Sequence, residues 1–352
     1  MKKTEQSTVT GLQPESVEHP TLLDVRNLSI EYLTQRGPAK AVNKVSFSIK
    51  EGQVFGLAGE SGCGKSTIAH SLLRILRPPA VIRGGEVVFS GEDILKMNDR
   101  ELEEYRWSKV SMVFQSAMNS LNPVITIGEQ INDVLIRHHK FTAKQAAERS
   151  AELLNIVGIE SERLKSFPHQ MSGGMRQRVV IAIALALTPE LMIMDEPTTA
   201  LDVVVQRDIL QQIRALKETM GFSILFITHD VSLMTEFSDQ MAIMYAGEIV
   251  EKASSREIFT NPIHPYTQGL LSSFPSLTGK KRKLTGIPGS PPDLINPPGG
   301  CKFHPRCALC THKEKEIAPV LREVIPDHWV AVHEGMPLPP GRMAADAGQG
   351  KQ

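Results

Sequence analysis

Gly59 to Thr67 read GESGCGKST; the apolar run Val54 to Ala58, VFGLA, precedes them, and apolar residues recur at helical spacing from Ile68 to Leu76. Strand, glycine loop and helix in that order form the context in which G-x-x-x-x-G-K-[ST] cradles phosphate. Glycines let the loop wrap so that its N–H groups point inward, and the helix N-terminus adds a dipole that favours anions. Gly59, Ser61, Gly62, Cys63 and Gly64 make the cradle. Lys65 is placed for the β- and γ-phosphates, Ser66 for a Mg²⁺ ion, and Thr67 opens the helix beside them.

Downstream, Leu191 to Glu196, LMIMDE, is a compact apolar strand ending in two acids, and Ser223 to Thr228 is another such strand. Val203 to Met220 between them reads as a helix. Short all-apolar strands with helical crossovers imply a parallel sheet covered on both faces, with chemistry at its carboxyl edge. The fold class is therefore α/β, a P-loop NTPase. Asp195 is expected to hold the Mg²⁺ shell, through water or directly, and Glu196 to polarise an attacking water. Kinases, GTPases, helicases and transport ATPases share these two elements.

The chain has 352 residues, 39 Lys+Arg against 39 Asp+Glu, 41% apolar residues and four cysteines. Balanced charge gives no basis for a nucleic-acid partner, which calls for a basic excess. So few cysteines exclude a secreted disulfide scaffold and fit a reducing cytosol. The longest apolar run, Val179 to Leu187, is about half of the ~20 residues of a transmembrane helix. The N-terminus has no apolar stretch behind its lysines and reads as a polar lead-in, residues 1–21, rather than a signal peptide. An ATPase domain is expected over 22–260. A helical subdomain is expected at about 93–175, because Asp93 to Lys165 is rich in Glu, Gln, Lys and Ala. Prolines crowd the chain from Asn261, which marks a C-terminal proline-rich appendage over 261–340, with the basic cluster Gly279 to Lys283 as a solvated linker and 341–352 as a tail.

Ser172-Gly173-Gly174-Met175-Arg176-Gln177 opens a long apolar helix and makes a second anion-binding helix start. One chain has little use for two phosphate cradles, so this one is read as completing the site of a partner subunit. Here the sequence resembles the ATP-binding cassette family. Its signature stands as MSGGMRQ at Met171 to Gln177, departing from the commonest LSGGQ at the first and fifth positions while keeping the serine and both glycines. The resemblance implies that Gln115, in VFQSAMNSLNP, is the glutamine that touches Mg²⁺ and reports to the membrane partner. It likewise implies that Ala200-Leu201-Asp202 lies at the dimer interface and that His229 contacts the γ-phosphate. Tyr32 stands where the family places an aromatic residue to stack on adenine, or else is a core aromatic. The implied mechanism is a head-to-tail dimer in which the SGG helix of one subunit covers ATP and Mg²⁺ on the other, with Glu196 as base, His229 as charge stabiliser and Lys65 and Gln115 assisting.

NPIHPYTQG at Asn261 to Gly269, IPGSPPDL at Ile287 to Leu294 and CKFHPRC at 301 to 307 resemble the C-terminal region of oligopeptide and dipeptide importer ATPases, so the likeness covers roughly residues 22 to 335. It implies a peripheral subunit on the cytosolic side of the membrane. Its partners would be a second related ATPase or a copy of itself, two transmembrane permease subunits and an extracytoplasmic substrate-binding protein. Nickel, glutathione and oligosaccharide importers are alternatives, and a soluble ABC-type ATPase is a more distant one. Cys301, Cys307 and Cys310 form C-x₅-C-x₂-C, which suits an Fe–S or Zn site or simply reduced cysteines. Such a cluster usually needs four ligands, and Cys63 is committed to the phosphate loop. Glu314 and Val332 stand near the places where the family tends to carry further cysteines, and His304, His312 or His333 could substitute.

Overall fold

The computed structural model describes residues 19–115, 120–198, 201–273, 286–310 and 315–333. The lead-in up to residue 18, Ala200, the basic cluster 279–283, His312, Glu314 and the tail lie outside them.

The chain enters through β1 (Thr21–Thr34) and β2 (Gly37–Lys50), then β3 (Val54–Ala58), which runs through the phosphate loop into α1 (Lys65–Leu72). β4 (Ala80–Phe89), β5 (Glu92–Asp93), α2 (Asp99–Ser108) and β6 (Val110–Val113) follow. A helical stretch holds α3 (Ile127–His139), α4 (Ala143–Ile156) and α5 (Gly173–Ala184). β7 (Leu191–Asp195), α6 (Val203–Met220), β8 (Ser223–Ile227), α7 (Val231–Phe237), β9 (Gln240–Tyr245) and β10 (Glu248–Ser254) complete the central layers. The C-terminal part adds α8 (Ser255–Thr260), α9 (Pro265–Ser272), β11 (Val320–Ile325) and β12 (His328–Val332).

Two sheets result. The antiparallel one has the order β2-β1-β4-β5, and the larger one runs β11-β12-β10-β9-β3-β8-β7-β6. Within the larger sheet β9, β3, β8, β7 and β6 are parallel, while β10, β12 and β11 are added antiparallel. Every residue of β3, β7 and β8 is buried, because the strands are covered on both faces. Alternate side chains divide between two cores. Phe55, Leu57, Leu191, Ile193, Leu225 and Ile227 face the antiparallel sheet. Val54, Ala58, Met192, Met194, Ile224 and Phe226 face the helices. Gly56 is the exception by size: a Cβ there would lie 2.6 Å from Met234 Sδ, so its absence lets α7 pack close to β3.

Three helices of the middle segment start at capping boxes, Asn98 with Glu101, Thr126 with Glu129 and Thr142 with Gln145, each satisfying otherwise orphaned N–H groups. Two differences from the sequence reading matter. α1 ends at Leu72 although apolar spacing continues to Leu76; Arg74 adopts φ +49 and the chain then meets Pro78-Pro79, which cannot extend a helix. The segment that reads as helical also contains β6, whose four residues pair with β7 as the edge of the main sheet.

The C-terminal part is likewise joined to the sheet. β12 pairs with β10 through Glu251↔Val330 and Lys252↔Trp329. Glu251 is fully buried there; its carboxylate accepts from the backbone N–H of Ile263 (2.7 Å) and of His264 (3.0 Å) and lies 2.7 Å from His328 Nε2. Such saturation by donors is what makes a buried carboxylate tolerable. Among the described residues no helix is long and apolar enough to cross a membrane.

Candidate active site

The phosphate loop needs its glycines for space as well as for conformation. Gly59 has φ +149 and a Cβ on it would fall 2.2 Å from Met244 O; Gly64 has φ +109 and a Cβ would fall 2.2 Å from Ala41 O. α1 starts where Ile68 N–H donates to Gly64 O. Lys65 is buried, and its Nζ donates to Gly59 O (2.8 Å) and Glu60 O (3.0 Å) and lies 3.6 Å from Cys63 Sγ. Its cation is thus folded back over the loop's own carbonyls. Burial pushes the Cys63 thiol up, opposed by the neighbouring Lys65 charge, so Cys63 packs as a neutral thiol.

Asp195 and Glu196 stand together at the carboxyl end of β7. Asp195 closes β7 at 3% exposure, hydrogen-bonds Ser66, and is pushed up by burial. Its Oδ1 is buried without a hydrogen-bond partner. A desolvated carboxylate oxygen beside a serine hydroxyl at the foot of a phosphate loop is a hard-oxygen donor set, and it fits Mg²⁺. Glu196 takes φ +46, its N–H donating to Ile227 O at 2.8 Å, which turns its side chain out of the strand. Glu196 Oε2 accepts from Gln115 Nε2 (2.9 Å), and Oε1 lies 3.2 Å from His229 Nδ1.

Sheet register explains this gathering. Val113 is level with Met194, and Asp195 with Ile227, so the residues just past β6, β7 and β8 emerge side by side at the carboxyl edge. Gln115, Glu196 and His229 are those residues, brought together from 81 and 33 positions apart. Tyr32, half-buried on β1, has its hydroxyl 3.2 Å from Thr67 Oγ1, which sets it beside the first turn of α1.

The second helix start stands apart. Ser172 caps α5, its Oγ accepting from Met175 N–H at 3.3 Å, and is exposed. Among the described residues no hydrogen bond or ion pair joins Ser172, Gly173 or Gly174 to the phosphate loop of the same chain. A Cβ on Gly174 would meet Val205 Cγ1 at 3.1 Å, so α5 packs against the start of α6, where Asp202 caps the helix by accepting from Val205 N–H at 3.0 Å. Val203 and Val204, next to Asp202, are each 69% exposed.

The three cysteines of the C-terminal part come together. Cys301, Cys307 and Cys310 line one small cavity with His264 and His333, yet among the described residues no group of three or more His, Cys, Asp or Glu is placed to hold a metal ion. Burial pushes the Cys301 thiol up to about 11. The apolar wall supplied by Phe303, Leu309 and Ala331 is the physical reason.

Sequence reading missed the residues that grip the loop from outside. Glu60 sits at a variable position of the motif; Tyr266 and Arg306 lie 206 and 246 residues away from it. His70, on α1, also lies near Asp195. No local pattern marks any of them.

Comparison with known proteins agrees with this geometry. Residues 42–199 match the family model described as ABC transporter, and residues 250–313 match the one described as Oligopeptide/dipeptide transporter, C-terminal region. The chain is 43% identical over 313 residues, 88% of its length and 87% of the relative's, to the oligopeptide transport ATP-binding protein OppD of Bacillus subtilis. It is 44% identical over 311 residues, 88% of its length and 89% of the relative's, to the dipeptide transport ATP-binding protein DppD of Lactococcus lactis. A solved dimeric ATP-binding cassette in a post-hydrolysis state, bound to ADP and Pi, superposes with a TM-score of 0.60 at 28% identity, covering 67% of this chain and 99% of that one. With a phosphate loop, a strand-end Asp-Glu pair and an SGG helix start in one cassette, the chain belongs to the ATP-binding proteins of the oligopeptide and dipeptide ABC transporters.

Proposed function

We propose that the chain is the ATP-hydrolysing motor subunit of an importer for di- or oligopeptides, peripheral on the cytosolic face of the membrane. The observation that carries the hydrolytic reading is the placement of Glu196, one oxygen held by Gln115 and the other beside His229, at the strand edge above the phosphate loop. Glu196 is the group to take a proton from water as the water oxygen bonds to the γ-phosphorus and the bond to the bridging oxygen breaks, giving ADP and phosphate. Gln115 orients that carboxylate, and His229 stabilises charge that gathers on the γ-phosphate. Lys65 exchanges the Gly59 and Glu60 carbonyls for phosphate oxygens. Ser66, Asp195 and Gln115 are the residues to hold Mg²⁺, which when bound neutralises charge on the β- and γ-phosphate oxygens. Gly59, Ser61, Gly62, Cys63, Gly64 and Thr67 enclose the phosphates, and Tyr32 stands at the edge of that cradle for the base.

The exposed Ser172 at the start of α5 and the bare valines beside Asp202 support a head-to-tail dimer. ATP on one subunit is then covered by the second subunit's SGG helix, so that closure depends on ligand. The second ATPase is a related chain or a copy of this one. Two permease subunits and an extracytoplasmic binding protein complete the importer and choose its substrate, and the likeness over residues 250–313 supports a peptide. Affinity purification from detergent-solubilised membranes tests this: two polytopic subunits are expected to come with the chain, with ATPase activity raised by the peptide-loaded binding protein. Recovery free of any membrane subunit, or stimulation by a non-peptide solute alone, would overturn it.

A further inference from the structure

The phosphate loop is held from outside by the C-terminal part of the chain, and the contacts converge on Glu60, the second residue of the loop. Each polar group of Glu60 is engaged. Its N–H donates to Tyr266 Oη at 2.9 Å. Its carbonyl accepts from Lys65 Nζ at 3.0 Å and from Cys63 N–H at 3.3 Å. Its carboxylate takes the Arg306 guanidinium as a two-point pair, Nη1 to Oε2 at 2.7 Å and Nη2 to Oε1 at 2.9 Å. Arg306 is itself fixed: its Nε donates to Pro288 O at 2.7 Å, its Nη1 to Tyr245 Oη at 3.3 Å, and its guanidinium lies 5.8 Å from the centre of the Tyr245 ring. The Arg306 side chain is only 5% exposed and that of Glu60 25%, so solvent screens the pair weakly.

A second hold acts on the same loop. Gly247 N–H donates to Cys63 O at 3.1 Å. The turn carrying Gly247 is gripped in turn by Lys302, whose Nζ donates to Ala246 O at 2.9 Å and pairs with Glu248 at 2.9 Å. Tyr245, Tyr266 and Phe303 pack their rings together, tilted or edge to face, behind these contacts.

We propose that Arg306 and Tyr266 are positioning residues for ATP binding, bracing the phosphate loop through Glu60. The inference rests on the reading of Gly59 to Thr67 as the ATP site. Its physical basis is that a glycine-rich loop has large conformational freedom, and a cradle of N–H groups binds phosphate well only if that freedom is already spent. Glu60 is the joint: its side chain and N–H are tied to the C-terminal part, and its carbonyl is the resting place of Lys65. A shift of Glu60 therefore displaces both the start of the cradle and the lysine cation. The two events are linked, so nucleotide on the loop tightens the docking of the C-terminal part by the same factor.

The test uses the purified full chain, with MgADP affinity and the KM and kcat for ATP measured for R306Q, E60Q, the double variant, R306K and Y266F. Loss of one charge-assisted, two-point pair is expected to weaken nucleotide affinity and raise KM about tenfold in R306Q and in E60Q, with kcat within about twofold. The double variant is expected to be no weaker than either single one, because both remove the same pair. R306K is expected to fall between, since an ammonium cannot make the two-point contact. Y266F, which keeps the ring and deletes only the acceptor for Glu60 N–H, is expected to lose roughly threefold. A merely structural tether would lower thermal stability and leave the KM of the folded fraction unchanged. Wild-type affinity in folded E60Q and Y266F overturns the proposal, whether or not R306Q folds. Single losses that multiply to about a hundredfold in the double variant also overturn it. If the wild-type chain itself binds no MgADP, the ATP reading fails and this inference fails with it.

Discussion

Replacing Glu196 by Gln tests the hydrolytic geometry at one atom. The carboxylate is pinned at both oxygens, Oε2 by Gln115 at 2.9 Å and Oε1 beside His229 at 3.2 Å. A glutamine amide keeps that shape, its oxygen accepting from Gln115 and its NH₂ donating to a neutral His229 Nδ1. The backbone at φ +46 and the Glu196 N–H bond to Ile227 O are untouched. Folding should therefore be preserved. Nucleotide binding should be preserved or slightly improved, because Glu196 repels the charge on Asp195 and the amide removes that repulsion. What is lost is the proton acceptor. General base catalysis contributes about 10²–10⁴-fold, so turnover should fall by that factor, about 3–5 kcal/mol on the barrier. Phosphate release in steady state and in a single turnover reads the loss, and equilibrium binding of MgATP reads the retained affinity. Turnover within a few-fold of wild type would refute the role of Glu196. Equal loss of binding and turnover would refute the separation between cradle and base.

Asp195→Asn should abolish the Mg²⁺-dependence of ATP affinity while leaving the chain as stable as wild type or more so at neutral pH, since a carboxylate pushed up by burial costs stability when ionised; isothermal titration and urea unfolding read the two effects. Gly64→Ala places a Cβ 2.2 Å from Ala41 O at φ +109 and should cost about 2–4 kcal/mol in urea unfolding together with loss of nucleotide binding. His264 is pushed down to about 4 by burial, aided by His333 and opposed by Glu251. The unfolded chain then takes up its proton first, so stability should fall by about 3 kcal/mol as the pH drops from about 6.5 to about 4 and level off below. His264→Asn, which can still cap α9 by accepting from Tyr266 N–H, should remove that part of the pH dependence in a comparison of unfolding curves.

Much of the fold and of the candidate site is legible in local patterns. GESGCGKST is readable because a phosphate cradle is made by consecutive residues whose glycines meet a local demand, as the contacts at Gly59 and Gly64 show. β7 and β8 are readable because strands buried on both faces must be apolar at every position, and α6 runs over Val203–Met220 because its apolar stripe repeats at helical spacing from the Asp202 cap. The strand-end positions of Asp195, Glu196 and His229 follow from the same patterns, and Gln115 from its family likeness.

Other features are not written locally. Periodicity states which face of an element is buried, never against what, so the four residues of β6 are lost within a helix-rich segment and the end of α1 is misjudged by the continuing apolar spacing to Leu76. The proline-rich C-terminal part reads as an appendage, but its strands β12 and β11 extend the main sheet through backbone pairing with β10, which any sequence of adequate shape can make. The cysteine spacing suggests ligands, and only the packing shows that the three cysteines share one small cavity with His264 and His333. The sequence by itself determined the strand, loop and helix of the phosphate site and the residue types at the carboxyl edge, because those are consequences of neighbours in the chain. Only the tertiary structure decided that Glu196 stands between Gln115 and His229 and that Arg306 reaches Glu60 across 246 positions, because side chains that far apart meet only when the sheet register and the chain's return path have been set.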